Sequence, residues 1–264
     1  MAQALIVGLK NQKFAMSDIT VIELEANKRE ALERNLGVNS SAELNAIQAC
    51  NVIVLAIKPQ QLATLAKTLA PLLKNQLIIS IAAGIRLGDL VRWLGNYFTI
   101  VRAMPNTPAQ IQAGVTGLYA LPGVSAAQIA LADQILSAAG ETVWLDSEDK
   151  LDAVTAISGS GPAYVFYLIE ALHEAALKLG LNEAQAKQLS LATFKGASLL
   201  ADCSDTSIAT LREQVTSKGG TTEQGLLSLE QSQVKQAIAL AAEQACARAK
   251  TLGTELGRDE LGLS

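Results

Sequence analysis

Between Ile19 and Leu145 short β-branched runs alternate with helix-length segments, and this alternation confines the chain to very few folds. Strands are predicted at Ile19–Ile22, Val52–Ile57, Leu77–Ile81, Thr99–Ala103, Val115–Ala120 and Thr142–Leu145, with helices near Ala26–Asn35, Gln61–Leu73, Leu87–Leu94 and Ala126–Ala139. A strand followed by a crossover helix and another strand specifies a parallel, doubly wound α/β sheet of the Rossmann type. From Glu148 onward the pattern changes: no strand is predicted, and Ala- and Leu-rich helical periodicity runs to about Leu256. The fold class expected is therefore α/β, a doubly wound parallel sheet followed by an all-helical C-terminal domain.

The boundary is placed at Asp146-Ser147-Glu148-Asp149, a polar run able to supply an N-cap and an acidic first turn to the next helix. This divides the chain into a sheet domain over 1–146 and a helical domain over 147–264. The tail from Gly257 is expected to fray. In the helical half, long amphipathic helices such as Thr221–Leu252 carry broad apolar faces that suit burial within one chain or against a second copy.

Composition removes several function classes. With 17% charged residues and a net charge of −4, the chain has no basic surface for nucleic acid or for an anionic membrane. Its longest apolar runs, Val52–Ile57 and Leu77–Ala83, are too short to span a bilayer, and no export signal is read at the N-terminus. Cys50, Cys203 and Cys246 are scattered and odd in number, which argues against a disulfide framework or a metal cluster and favours a reducing cytoplasm. No metal ligand set is expected. The lone histidine, His173, reads as a packed or surface residue, and Ser160 lacks the elbow spacing of a hydrolase nucleophile.

The candidate site residues cluster in five strings. Ala56-Ile57-Lys58-Pro59 and Ser80-Ile81-Ala82-Ala83-Gly84 end strands at the carboxyl edge, where open α/β sheets hold ligands. Small residues there let a flat ring approach the backbone, and Lys58 can reach ribose or phosphate oxygen. In Met104-Pro105-Asn106-Thr107-Pro108 two prolines stiffen a loop that presents Asn106. Ser158-Gly159-Ser160-Gly161-Pro162-Ala163-Tyr164 interrupts a helical run, with a kink or restart expected at Pro162. Val215-Thr216-Ser217-Lys218-Gly219-Gly220-Thr221-Thr222 sets glycines and hydroxyls ahead of a helix N-terminus, where free N–H groups favour a small carboxylate or phosphate.

The order and spacing of four of these strings, Ala56–Pro59, Met104–Pro108, Ser158–Tyr164 and the one from Val215 to Gly225, resemble those of the pyrroline-5-carboxylate reductase family, over nearly all of Met1–Leu252. The resemblance implies NADPH or NADH as cofactor and 1-pyrroline-5-carboxylate, reduced to L-proline, as substrate, with 1–146 as a dinucleotide-binding domain, 147–264 as a substrate-binding and dimerisation domain, and a homodimer or higher homo-oligomer as the assembly. It implies Thr222 as the donor that orients the ring nitrogen, with Val215, Gly219, Gly220, Thr221 and Ser158 around the substrate. The cofactor falls to Ala56, Ile57, Lys58, Pro59, Ala83 and Asn106, with Glu23 at the adenosine ribose, while Lys28 and Arg29 nearby leave the choice between NADH and NADPH open. Met1 matches the methionine that follows Gly-Gly-Gly-Asn in that family, so the sequence predicts a start upstream of Met1. A β-hydroxyacid dehydrogenase would share the plan, but the corresponding helix, Ile157–Glu170, carries no lysine for alcohol oxidation.

Overall fold

The computed structural model describes residues 1–258. Five strands form the main sheet: β3 (Val52–Leu55), β4 (Leu77–Ser80), β5 (Ile100–Met104), β6 (Gly114–Ala120) and β7 (Gly140–Trp144), hydrogen-bonded in that order. The first two strands, β1 (Thr20–Ile22) and β2 (Asn39–Ser41), make a separate parallel pair. Continuity between the two sets comes from packing rather than from a ladder, because Ile22 joins the apolar cluster beneath β3 and β4.

Burial explains why the sheet forms where it does. All four residues of β4 are buried, as expected of a strand covered on both faces. Successive residues feed opposite cores: Ile79 and Val101 pack with Ala4 and Leu5 of α1 (Ala2–Asn11) and with Ala132 and Leu136 of α5 (Ala126–Leu136). Ile78 and Ile100 face the other way, against Leu62 and Leu69 of α3 (Pro59–Leu69) and Leu90 and Trp93 of α4 (Leu87–Trp93). A smaller cluster, Ile6, Leu36 and Val38, supports β1 and α2 (Ala26–Leu36).

Two features depart from the sequence expectation. Strand β6 runs antiparallel to β5, because residues 105–113 are too few for a crossover and their 3₁₀ turn, Thr107–Ile111, sends the chain straight back. Strand β2, Asn-Ser-Ser, has no strand-forming composition; it is extended because β1 pairs with it residue by residue from Thr20↔Asn39 to Ile22↔Ser41.

The chain forms two compact units, one of Met1–Ser160 with the chain from Gln244, the other of Gly161–Glu243. The first unit holds the sheet, α6 (Lys150–Val154) and a π-turn at Thr155–Gly159. It also includes the end of α11 (Val234–Leu256), whose Leu252 and Leu256 pack over Gly84. Fraying from Gly257 is not seen at that residue: Gly257 is buried, its N–H donates to Gly253 O (3.0 Å), and its carbonyl accepts from Arg92 Nη2 (2.8 Å). The rest of the expected tail, 259–264, lies outside the described residues.

The second unit contains α7 (Gly161–Lys178), α8 (Glu183–Asp202), α9 (Ile208–Gln214), α10 (Thr221–Gln231) and the start of α11. The single helix expected over Thr221–Leu252 is broken at Ser232–Gln233, where Gln233 adopts a left-handed backbone (φ 54°). Within this unit only Ala186 and Ser190 are buried. Phe166, Tyr167, Leu179, Leu189 and Leu200 are all exposed. A helical unit that leaves this much apolar surface in water has no core of its own, and such a surface marks a protein–protein contact. His173 pairs with Glu183 across α7 and α8, Nε2 to Oε1 3.1 Å.

Candidate active site

The carboxyl edge of the sheet is built by register. Leu55 lies opposite Ser80 and Ser80 opposite Arg102, so Ala56–Pro59, Ile81–Gly84 and Met104–Asn106 leave the sheet side by side. Ala56 and Ile57 lie beyond the end of β3 rather than within it. Lys58 is exposed, in extended backbone at the N-cap of α3, and Pro59 occupies the first helical position, where its missing N–H is no loss. Ala83 is half-buried beside Gly84, whose φ of +80° turns the chain sharply into the next segment.

Asn106 is buried, and its Oδ1 accepts the Val115 N–H at 2.9 Å. That bond ties the Met104–Pro108 loop to the start of β6 and leaves the amide N–H groups as the side chain's donors. Glu23, at the end of β1, turns its carboxylate onto the Glu25 N–H (3.1 Å). Arg29 Nη1 donates to the carbonyls of Glu23 and Leu24, each at 2.9 Å, so its guanidinium lies against the chain at the end of β1. Lys28 pairs with Glu25 at 2.6 Å, a hydrogen bond that holds its ammonium above its ordinary pKa. Of the two cations expected near the ribose, one is engaged with backbone and the other with a carboxylate.

Beside this edge is a charged cluster that the sequence reading did not assign. Arg102, buried on β5, donates to Glu148 (2.7 Å), whose same oxygen accepts the Leu87 N–H at the start of α4 (2.8 Å). Arg86 donates to Asp149 and to the buried Asp152, each at 2.6 Å. Burial works against the Arg86 charge, but the Asp149 hydrogen bond and the nearby Asp152 and Glu148 carboxylates outweigh it and raise its pKa. Of the acidic run expected to cap α6, Glu148 and Asp149 are engaged with arginines and Asp146 with Lys150; Asp149 sits at the N-cap of α6 without a side-chain cap bond. The clue in the sequence was Arg102 itself, since a charge inside an otherwise apolar strand requires a carboxylate partner.

Through this cluster α6 is fixed to the ends of β4 and β5, and the π-turn that follows it is brought onto Met104. A Cβ on Gly159 would lie 2.7 Å from Met104 Cε. The Ser160 N–H reaches Thr155 O at 2.8 Å, the five-residue closure of a π-turn. The expected restart falls at Gly161, the first residue of α7, with Pro162 in the first turn where it is tolerated. Ser158 Oγ is buried without a hydrogen-bond partner.

The helical unit carries the remaining candidates. Gly220 is the N-cap of α10, and Gly219 has φ +73°. Two of the four backbone donors assigned there are already engaged: Gly219 N–H with Glu223 Oε2 (2.7 Å) and Gly220 N–H with Ser217 O (3.0 Å). Glu223 reaches back because a carboxylate in the first turn is drawn to the helix N-terminus. The free donors are therefore narrowed to the N–H groups of Thr221 and Thr222 and their exposed hydroxyls. Val215 is exposed at the C-cap of α9. Among the described residues no group of His, Cys, Asp and Glu could hold a metal ion, and no helix is long and apolar enough to cross a membrane.

Residues 148–252 match the family model for pyrroline-5-carboxylate reductase dimerisation, and residues 1–84 match that for NADP oxidoreductase coenzyme F420-dependent. The pyrroline-5-carboxylate reductase of Pseudomonas aeruginosa is 42% identical over 98% of this chain and 95% of its own length. The chain belongs to the pyrroline-5-carboxylate reductase family. The solved reductase of Coxiella burnetii superposes with a TM-score of 0.91 at 38% identity, covering 95% of this chain and 94% of that one. A Plasmodium falciparum pyrroline carboxylate reductase, solved with NADP bound, gives a TM-score of 0.84 at 30% identity, with 95% and 94% covered. Membership in the pyrroline-5-carboxylate reductase family makes this chain an NAD(P)-dependent oxidoreductase with a Rossmann-type sheet and a helical C-terminal region.

Proposed function

We propose that this chain reduces 1-pyrroline-5-carboxylate to L-proline with NADPH or NADH, as a homodimer or higher homo-oligomer in the cytoplasm. The observation that carries the reading is the near full-length match to pyrroline-5-carboxylate reductases, which includes every string that supplies a candidate site residue. Residues 1–146 are assigned to the dinucleotide and 147–264 to substrate and self-association. The exposed apolar faces of α7 and α8 support association, and three free thiols suit a reducing compartment.

When bound, the dihydronicotinamide supplies a hydride to C5 of the substrate ring. The residues at the sheet edge suit such a ring: half-buried Ala83 carries only a methyl group, and Lys58 and Asn106 offer donors beside it. Glu23 and the Arg29-pinned loop are assigned to the adenosine ribose. An iminium carbon is electrophilic once its nitrogen is protonated or hydrogen-bonded, so positioning dominates the rate. The Thr222 hydroxyl is assigned to the ring nitrogen, the Thr221 and Thr222 N–H groups to the substrate carboxylate, and Val215 to the ring's apolar face. The Gly219-Gly220 turn shapes that site, with Glu223 holding the turn closed.

The direct test is oxidation of NADPH and of NADH by the purified chain with 1-pyrroline-5-carboxylate, with L-proline identified as product. No turnover with either nucleotide would sink the reading.

A further inference from the structure

We propose that the Ser158 hydroxyl binds the carboxamide of the nicotinamide ring. The sequence reading put Ser158 with the substrate; its place in the sheet unit, on a turn packed against Met104, puts it with the cofactor residues instead. The inference rests on the NAD(P)H reading above and adds a residue to it.

Several hydroxyls in or beside the helices of this protein are satisfied locally. Thr68, Thr155, Thr216, Thr251 and Thr254 each donate to the carbonyl four residues earlier, at 2.6–3.3 Å. The corresponding acceptor for Ser158 is Val154 O, and the π-turn over Thr155–Gly159 widens the helix at that point, so the bond is not made. The result is a buried hydroxyl with no partner, on a turn whose Gly159 lies against Met104. For folding alone, alanine would serve better at this position, since an unmatched buried polar group is unfavourable. A group retained in that state is available to a ligand.

The surroundings select the ligand's chemistry. The turn abuts the end of β5, whose ladder with β4 carries Ile81–Ala83 alongside it, so Ser158 borders the edge assigned to the nicotinamide ring. A carboxamide offers a carbonyl acceptor and an N–H donor, and a serine hydroxyl can serve either. Both partners are neutral, which suits an apolar pocket where a lone charge would be unfavourable.

The test compares the whole wild-type protein with Ser158→Ala, using NADPH and NADH as ring-bearing ligands and ADP-ribose as a ligand without the ring. Dissociation constants are read by calorimetry, and the thermal midpoint of the free protein is recorded. NADPH and NADH should bind about tenfold more weakly to the variant, with ADP-ribose unchanged and the thermal midpoint equal or higher. Equal nucleotide affinities in the two proteins, or an equal loss for ADP-ribose, would overturn the assignment, as would a wild type that binds no dinucleotide. A wild type that binds NADPH but does not reduce 1-pyrroline-5-carboxylate would remove the reaction reading and leave this comparison standing.

Discussion

The sheet unit and the helical unit of this chain are stabilised in different ways. In the first, β4 is buried along its whole length and two apolar clusters close over its faces. In the second, α7–α10 and the start of α11 bury only Ala186 and Ser190 between them, while Tyr167 is 71% and Phe166 64% exposed. What differs is whether the apolar faces meet partners within the same chain. The sheet unit can be understood from one copy; the helical unit asks for a second.

The largest expected effect tests the first half of this contrast. Ile78→Ala, at a fully buried position in β4, should lower the unfolding free energy by about 2–5 kcal/mol in denaturant titrations at fixed protein concentration. A loss below about 1 kcal/mol would mean that the core relaxes around the cavity and the sheet is not the rigid half.

The next effect concerns the helical half. Phe166→Asp combined with Leu200→Asp puts charges on faces that are exposed in one copy, where surface changes usually matter by no more than about 0.5 kcal/mol. If a second copy covers those faces, sedimentation should show the dimer weakened at least about a hundredfold. An unchanged assembly would place the contact elsewhere.

Thr222→Val tests whether the exposed N-terminus of α10 carries chemistry. It should lower kcat/KM for 1-pyrroline-5-carboxylate by about tenfold, leave NADPH affinity unchanged and leave the fold intact. An unaltered kcat/KM would remove Thr222 from the mechanism. The smallest effect is expected at Glu23, where the carboxylate is half-buried and caps its own loop. Glu23→Ser should raise the NADPH-to-NADH ratio of kcat/KM by about threefold. A fixed ratio would shift the preference to Arg29 or Lys28, whose present partners are carbonyls and Glu25.

Much of the fold was legible because its signals are local. Each strand of the main sheet is a short β-branched or apolar run, and periodicity alone separates the sheet region from the helices after Glu148. Long-range pairing was not legible. Asn39–Ser41 is a strand only because β1 lies beside it, and the direction of β6 follows from a nine-residue connection, 105–113, rather than from the strand's own composition.

The site divides in the same way. Residue types and order along the chain identified the strings at Ala56–Pro59, Met104–Pro108, Ser158–Tyr164 and Val215–Thr222, because glycines, prolines and hydroxyls advertise turns and donors wherever they occur. Which donors are free is decided only by tertiary structure. Glu223 takes the Gly219 N–H, Val115 takes the Asn106 carbonyl, and a widened turn deprives Ser158 of its partner. Arg102, Glu148, Arg86 and Asp152 are separated along the chain, and only folding makes them one cluster. The physical reason is that composition and periodicity report what each residue can do with its neighbours in sequence. Satisfaction of a hydrogen bond or a charge depends on which distant atoms burial brings within about 3 Å.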